Sequence, residues 1–462
     1  MRKIRTLLGV TLAGACALAA VPGVATAAAP VATSSQAVAD LADVTGAYYP
    51  VAPARLMDTR IGLGAPKAKI GPAAKVDLQV AGRGGVPTIG VGAVVLNVTI
   101  TGPTAGSFVT VYPAGVTRPT ASSVNFAAGW LGSNNVTVKL GSGGMASVYN
   151  NSGSTDVIVD VVGWYAKDNT PTNRAGGQYE WFEPQRVDDT RDDPAGKPLA
   201  GEALDYALSF QDTPERNTHV KAFVLNITAV SPSAGGFLTA WSGATARPNV
   251  STVNYGAGKN VPNLAYVETT PCTGTEDSNF CVVGEPKFKI FTSQSAHILV
   301  DVVGVVDDGY GDLGMRFSPL SPTRIVDSRI NQGITGAIGA NATRTVTVPP
   351  ALVTPDTGVL AMNVTAVQPT LNTVITTWPA DPGVARPATS NLNPYAGQVV
   401  SNGVLGIIEP SAAFNVWNLQ GSTHLVADVV GTFYYPAPVA ATARQSLAGG
   451  ATRPTLHVSS SR

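Results

Sequence analysis

The chain contains three copies of one unit of about 120 residues, and this repetition constrains its fold more than any single motif does. Five landmarks recur in the same order: R-x-x-D-[TS]-R, an apolar segment ending in N-x-T, R-P-x-x-S-x-[VL]-N, a lone Asn nine residues later, and D-V-V-G. The interval from the Asp of the first landmark to the Asn of the second is 39, 37 and 36 residues. Ordered landmarks at nearly constant spacing indicate duplication of a complete structural unit.

Propeller blades and solenoid turns are much shorter than this unit. A unit of this length can instead close a hydrophobic core of its own. We therefore expect three similar domains in a row and not one closed ring. The predicted segments are a signal peptide (1–29), an N-terminal linker (30–50), the first repeat (51–166), a linker (167–181), the second repeat (182–307), a linker (308–318), the third repeat (319–435) and a flexible C-terminal tail (436–462).

Each unit is predicted to be entirely β. Runs rich in Val, Ile, Thr and Tyr alternate with Gly, Pro and Asn, and no segment after the signal peptide has a helical stripe. Eight short strands in a unit favour a two-sheet sandwich of jelly-roll or immunoglobulin-like type, with a barrel as the alternative. The strands predicted for the first repeat are Arg55–Thr59, Lys75–Ala81, Ala93–Thr101, Ser107–Tyr112, Ser122–Phe126, Asn135–Leu140, Met145–Asn150 and Val157–Tyr165.

The N-terminal residues have the pattern of an export signal. Arg2, Lys3 and Arg5 precede an apolar stretch, and Ala25-Thr26-Ala27 fits a signal-peptidase site. No apolar run long enough to span a membrane follows, so we expect a secreted protein without a membrane span after signal cleavage. Two cysteines remain, Cys272 and Cys281, inside a twelve-residue extension of the second repeat. In an exported chain such a pair is most simply a disulfide.

Charge is sparse and balanced. The 462 residues include 30 Lys or Arg and 30 Asp or Glu, 13% charged, against the roughly 25% that is usual for soluble domains. Without a basic excess the chain cannot neutralise a phosphate backbone, so nucleic acid is not an expected partner. A surface poor in charge is expected to suit a neutral polymer better than an ionic partner.

The repeated charged residues are predicted to form a structural network in each unit. Val157 to Val162 is apolar on both faces around Asp160, which indicates a central buried strand, and a buried carboxylate needs a partner. We expect an Arg of the first landmark to pair with Asp160, and Asp58 to cap its own turn. The residues assigned to the network are Arg55, Asp58, Arg60, Arg118 and Asp160; Arg186, Asp189, Arg191, Arg247 and Asp301; and Arg324, Asp327, Arg329, Arg386 and Asp428.

The Asn and Thr of the second landmark lie two residues apart in a strand and share one face. Read as N-glycosylation sequons, Asn97, Asn226 and Asn363 would be poor acceptors inside apolar strands. We prefer a structural interpretation in which the amides satisfy backbone groups at a bend or edge.

One set of aromatic positions is a candidate for ligand binding. At the end of the fourth strand each unit carries an aromatic residue beside a turn, where a flat ring could stack on a sugar. Three equivalent weak sites would give avidity. The alternative is an aromatic that covers the edge of a core. The candidates are Tyr112, Trp241 and Trp378.

Catalytic and metal-binding signatures are weak. Paired carboxylates could serve hydrolysis, and Asp188, Asp189, Asp192 and Asp193 could bind calcium, but the alternating acidic ligands and central Gly of a calcium loop are missing. His297 and His424 share a repeat position with Asp156, so that position does not suit a catalytic base. We therefore predict no catalytic residues, no metal and no cofactor.

The landmarks resemble a tandem repeat of secreted proteins from actinobacteria, the high-GC Gram-positive bacteria. The resemblance covers about residues 51–435. It rests on Arg55 to Arg60, Tyr112-Pro113-Ala114-Gly115, Arg118 to Asn125 and Asp160 to Tyr165 in the first copy, and the second copy departs most. It implies export and a modular role, and it implies no established activity.

These observations favour a non-catalytic secreted protein that associates with cell surfaces or binds envelope polysaccharide. One alternative is an extracellular hydrolase with its site in the divergent middle repeat. Another is a structural spacer or adhesin that binds proteins. An enzyme would need a cleft whose residues differ among the copies, and a lectin-like module would need equivalent exposed aromatics.

Overall fold

The structure, a computed structural model, describes residues 41–171, 173–276, 280–311, 313–436 and 455–461. The predicted signal peptide lies outside these residues. All eight strands predicted for the first repeat are present, with bounds shifted by a few residues. They are β1 (Tyr48–Asp58), β2 (Ala74–Gln79), β3 (Val91–Thr101), β4 (Ser107–Pro113), β5 (Val124–Phe126), β6 (Gly132–Lys139), β7 (Met145–Asn150) and β8 (Asp156–Ala166).

The same strands recur in the other two repeats. The second repeat contains β9 (Gln178–Asp189), β10 (Ala203–Phe210), β11 (Val220–Val230), β12 (Gly236–Trp241), β13 (Val253–Tyr255), β14 (Val261–Glu268), β15 (Thr270–Pro271), β16 (Pro286–Thr292) and β17 (His297–Asp307). The third contains β18 (Arg316–Asp327), β19 (Ala342–Thr347), β20 (Thr357–Val367), β21 (Ile375–Pro379), β22 (Val399–Ile407), β23 (Ala413–Asn418) and β24 (His424–Tyr434). Short 3-10 turns occur at Ser142–Gly144, Pro214–His219 and Pro350–Leu352.

The sheet order decides between the two predicted sandwich types. In the first repeat one antiparallel sheet runs β1-β8-β3-β6 and the other runs β2-β7-β4-β5. Strands pair as 1 with 8, 2 with 7, 3 with 6 and 4 with 5, which is the eight-stranded arrangement of a jelly roll. The sheets stay separate and do not close into a barrel. The predicted β-sandwich is therefore confirmed, in its jelly-roll form.

The second and third repeats follow this order with local changes. Their first sheets run β9-β17-β11-β14 and β18-β24-β20-β22. In the third repeat a single bridge between Ile375 and Leu392 stands where the fifth strand would lie. The second repeat gains β15 next to β16 and a further strand, β25 (Leu456–Ser461), next to β10.

Several predicted boundaries differ from the strands. β1, β9 and β18 begin at Tyr48, Gln178 and Arg316, inside the predicted linkers, because aromatic residues at these strand starts are buried between repeats. The predicted flexible tail is also not free throughout. Its Leu456–Ser461 segment pairs antiparallel with β10, and Leu456 and Val458 pack on the core of the second repeat.

Each repeat has its own core between its two sheets, and a fourth core lies between the repeats. This fourth core combines large rings of all three units, with the rings of Tyr165 and Phe317 4.3 Å apart and those of Tyr48 and Tyr266 5.1 Å apart. The expected open row is therefore wrong, because the first sheets bury their outer faces against one another and the third repeat contacts the first.

Candidate functional site

Buried ion pairs link the first and last landmarks of every repeat. In the first repeat Arg55 Nε lies 2.8 Å from Asp160 Oδ1, and Arg60 Nη2 lies 2.7 Å from Asp58 Oδ2. The backbone N–H of Arg60 also donates to Asp58, which caps the turn. The structure brings together the equivalent residues, namely Arg186 with Asp301, Arg191 with Asp189, Arg324 with Asp428, and Arg329 with Asp327.

The pKa values of the two landmark carboxylates in each repeat are shifted in opposite directions. Burial raises the pKa of Asp160, and the bonds from Arg55 oppose this only in part. Burial also acts on Asp58, but the bonds from Arg60 outweigh it and lower the pKa of that carboxyl. The same opposition recurs for Asp301 and Asp428, whose pKa values are raised by burial, and for Asp189 and Asp327, whose pKa values are lowered by their Arg partners. The repeated Arg and Asp residues of the first and last landmarks therefore have a structural role in each repeat.

The Arg of the third landmark does not join this network, which corrects the assignment of Arg118, Arg247 and Arg386. Each guanidinium lies over an aromatic ring of its own repeat. The distances from guanidinium carbon to ring centroid are 4.3 Å for Arg118 on Tyr149, 3.8 Å for Arg247 on Phe291 and 3.5 Å for Arg386 on Trp417. The cation–π contact supplies the favourable environment that a carboxylate was expected to supply.

The predicted aromatic ligand sites are not available to a ligand. Tyr112, Trp241 and Trp378 are 4%, 6% and 9% exposed, so none presents a ring face that could stack on a sugar. Trp241 Nε1 donates to the carbonyl of Thr245 at 3.1 Å, which fixes its polar edge within its own turn. The alternative interpretation, a ring that covers the edge of a core, fits these positions.

The Asn residues of the second landmark hold neighbouring repeats together. Asn97 Nδ2 donates to the carbonyl of Ser251, and Asn263 Nδ2 donates to Asn97 Oδ1 at 2.9 Å. Asn263 Oδ1 in turn accepts from the backbone N–H of Asn135 at 2.9 Å. The contact therefore satisfies backbone groups, as expected, but it does so between repeats and not inside one.

The same contact recurs at the other two interfaces. Asn402 of the third repeat donates to Asn226 of the second at 3.2 Å, and Asn134 of the first repeat donates to Asn363 of the third at 2.8 Å. Each interface joins a different pair of repeats, so the three close into a ring. We name the six residues Asn97, Asn134, Asn226, Asn263, Asn363 and Asn402 the asparagine layer.

Three equivalent loops extend beyond the asparagine layer and enclose a pocket. They are residues 127–131, 256–260 and 395–398, each placed between the Asn that ends the third landmark and the lone Asn. The pocket has a volume of about 550 Å³, within the range of small-molecule sites. Its lining combines apolar side chains such as Leu131 and Val261 with polar side chains from all three repeats.

The loop tips differ at the position four residues before the lone Asn. This position holds Trp130 in the first repeat, Lys259 in the second and Gln398 in the third, and all three residues line the pocket. Trp130 is half-buried. Tyr395 also lines the pocket, and its hydroxyl accepts from the backbone N–H of Asn260 at 2.7 Å. The arrangement can stack one ring on a flat ligand and offer it a cation and an amide.

A second cleft lies between the first and third repeats. It has a volume of about 920 Å³ and is lined largely by backbone and small residues, with Lys167 and Asp168 beside each other. Its charged residues are Lys139, Lys167 and Asp168, and its two aromatic rings, Phe317 and Tyr434, are buried and half-buried. The three-loop pocket is the better candidate because it draws on all three repeats.

The cysteines form the expected disulfide, Cys272–Cys281. Among the residues that the structure describes, the one group of three metal-type ligands is Cys272, Glu276 and Cys281. Both sulfur atoms are oxidised in the disulfide, so this group has no thiolate to bind a metal. The acidic cluster weighed as a calcium site is engaged elsewhere, because Asp188 accepts from Tyr206 and Asp189 pairs with Arg191.

The shared histidine position is structural. His297 Nδ1 lies 3.2 Å from Thr190 Oγ1, and His424 Nδ1 lies 3.0 Å from Ser328 Oγ. In the first repeat Thr59 donates to Asp156 at 2.9 Å. The hydroxyl of the [TS] position in the first landmark therefore contacts the polar side chain at this position in every repeat, which explains why His can replace Asp there.

Comparison with solved structures finds similarity at a very low level, and two of the matching structures are of virus proteins. No protein-family model matches the chain, and no curated protein matches it. One solved structure, "The Triple Jelly Roll Fold and Turret Assembly in an Archaeal Virus", is 8% identical, with a TM-score of 0.15 over 85% of this chain and 90% of that chain. Another, "Life in the extremes: atomic structure of Sulfolobus Turreted Icosahedral Virus", is 9% identical, with a TM-score of 0.16 over 79% and 84%. The fold assignment rests on the sheet order.

Within the described residues no helix has the length and hydropathy needed to cross a bilayer.

Proposed function

We propose that the protein is a secreted, non-catalytic polysaccharide-binding protein and that its ligand occupies the three-loop pocket. The observation that carries this proposal is the half-buried ring of Trp130 in a pocket of about 550 Å³ to which all three repeats contribute. Amphipathic rings beside hydrogen-bonding groups suit the flat apolar faces and hydroxyl edges of sugars. Export is an expectation from the N-terminal sequence and from the resemblance to a secreted tandem repeat, and an exported protein would meet envelope polysaccharide.

The proposal replaces three weak symmetric sites by one asymmetric site. The equivalent aromatics Tyr112, Trp241 and Trp378 are buried. The divergent tips Trp130, Lys259 and Gln398 instead meet in one pocket. A cleft with different residues in each copy also fits the requirement set for an enzyme. However, no carboxylate, histidine or thiol belongs to the residues that line it, so it lacks the carboxylate pair on which most glycoside hydrolysis depends.

A glycan and peptidoglycan binding screen tests the proposal. The full protein is compared with Trp130→Ala, which removes the stacking ring, and with Tyr310→Ala, which removes an exposed ring outside the pocket. We expect Trp130→Ala to weaken binding roughly tenfold, about 1.4 kcal/mol, and Tyr310→Ala to bind like the original protein. Equal loss in both variants, or no retained glycan, would contradict the pocket.

The same samples test the absence of catalysis. Each bound glycan is incubated with the protein, and products are followed by mass spectrometry. We expect the glycan to be recovered intact. Release of shorter fragments that is lost in Trp130→Ala would instead support the extracellular hydrolase.

A further inference from the structure

The three-loop pocket carries a single charged side chain. Lys259 is the one ionisable acid or base among the described residues that line it, apart from the phenol of Tyr395. No carboxylate of the described part of the chain lies within ion-pair distance of its ammonium group. The pocket is therefore positive in a protein whose charges are sparse and balanced, and a cation in a partly enclosed site attracts an anionic group.

The ammonium group is held in place by the neighbouring repeat. Lys259 Nζ lies 4.1 Å from the ring centroid of Tyr395, a cation–π contact that orients a side chain that would otherwise be free to move. The Tyr395 hydroxyl accepts from the Asn260 N–H at 2.7 Å and donates to the carbonyl of Gly258 at 3.3 Å. The loop that carries the lysine is thus tied to the third repeat, on both sides of Lys259.

The two equivalent positions bear no charge. Trp130 lines the pocket with a half-buried ring whose centroid lies 6.5 Å from that of Phe126. Gln398 accepts through Oε1 from the Tyr395 N–H at 3.0 Å, which fixes its amide and leaves Nε2 as a donor. The pocket is therefore not a symmetric anion-binding site, which would need a cationic side chain from each of the three repeats. It suits an asymmetric ligand with a flat face, a hydrogen-bond acceptor and one anionic group.

We infer that the ligand of this pocket is an acidic polysaccharide, bound through a sugar residue whose anionic group pairs with Lys259 while the sugar ring stacks on Trp130. This inference rests on the proposed function and narrows it. It differs from the expectation of a neutral polymer drawn from the overall charge, because the local charge of a pocket decides what enters it. A carboxylate of a uronic acid and a phosphate substituent share the required chemistry.

The test uses two forms of one glycan. Oligogalacturonate carries a carboxylate on every sugar, and its methyl ester has the same backbone without the charge. We expect the protein to bind the acid about fivefold more tightly than the ester at low salt, the size of a solvent-accessible ion pair. The preference should shrink as salt is raised. A phosphate-substituted glycan, compared with its dephosphorylated form, distinguishes the second source of the anion.

Variants assign the preference to one residue. Lys259→Met should equalise the affinities for the acid and the ester, and Lys259→Arg should restore the preference because it keeps the charge. Lys259 is exposed, so unchanged unfolding curves should accompany both substitutions. The inference is wrong if the original protein binds the charged and uncharged forms equally, or if Lys259→Met keeps the preference. Binding of neutral glycans alone would leave the proposed function standing, whereas no glycan binding would overturn both.

Discussion

The asparagine layer lies in strands, and the loop tips lie on the loops that lead into β6, β14 and β22, yet the three copies use the two regions differently. Asn134, Asn263 and Asn402 are the same residue in every copy, and each bridges two repeats with the same donor and acceptor. Four residues earlier the copies hold Trp130, Lys259 and Gln398.

The difference shows what fixes a residue in a duplicated protein. Every residue of the asparagine layer makes one of three like contacts, so a change at any copy leaves a buried amide or backbone group without its partner. The loop tips face a shared pocket and make no contact that is common to all three copies. Trp130 stacks near Phe126, whereas Lys259 and Gln398 contact Tyr395. Divergence is therefore possible where the copies share no contact.

The largest expected effect comes from the ion pairs that underlie the layer. Asp160→Ala should lower the free energy of unfolding by about 3–5 kcal/mol, because Arg55 loses its bidentate partner and the Ser251 N–H of the second repeat loses an acceptor. Denaturant unfolding followed by fluorescence measures the change. Lys75→Ala, which removes an exposed pair with Asp77 and leaves the bond from Ser147 to Asp77 in place, is the control, with a much smaller expected loss. Similar losses in both variants would remove the structural interpretation.

The layer and the loop tips can be compared directly by one substitution in each. Asn97→Ala should cost about 1–3 kcal/mol, because it removes two hydrogen bonds between repeats and leaves the Asn263 amide with one acceptor fewer. Gln398→Ala should cost less, about 0.5 kcal/mol, because it removes one part-buried hydrogen bond within its own loop. If both variants unfold alike, the distinction between contact and pocket is wrong.

The sequence predicts the parts of this structure that depend on local pattern. Alternating apolar residues and turn residues predict all eight strands of the first repeat, and the apolar surroundings of Asp160 predict a buried carboxylate paired with an Arg. Both follow from the side-chain period of a strand. The jelly-roll order could not be read in the same way, since pairing of distant strands leaves no local signal.

The contacts between repeats and the pocket were missed for related reasons. Val95 and Asn97 share the outer face of β3. Because β3 carries apolar residues on both of its faces, the sequence did indicate that the outer face is buried as well. Exposure of Tyr112 and Trp378 depends on neighbouring strands and could not be inferred from their position at a turn. Trp130 was missed because its loop neighbours come from other repeats.

The edge strands of the second sheets also differ between repeats, because an additional strand covers this edge in the second repeat. β2 has Lys75 and Asp77 at its edge, while β10 is almost fully buried and pairs with β25. Removing residues 455–462 should cost about 1–2 kcal/mol, because Leu456 and Val458 leave a core that they only partly enter. It should also promote concentration-dependent association through the exposed edge, seen by sedimentation velocity. A truncated protein that stays monomeric and equally stable would show that β25 does not protect β10.

The smallest expected effect is a difference between Asp58 and Asp160 in how the free energy of unfolding depends on pH. The pKa of Asp58 is lowered in the folded protein by Arg60 against the effect of burial, so its stabilisation is present above about pH 3.9, the unfolded value, and is lost as the pH falls through the folded pKa. Asp58→Asn should cost about 1–2 kcal/mol at pH 7, and the difference from the original protein should shrink in acid. The pKa of Asp160 is raised by burial, so its proton favours the folded state at low pH, and this contribution is lost as the pH rises through the folded pKa. Asp160→Asn should therefore give a pH dependence of the opposite sign, and parallel curves for the two variants would contradict this assignment.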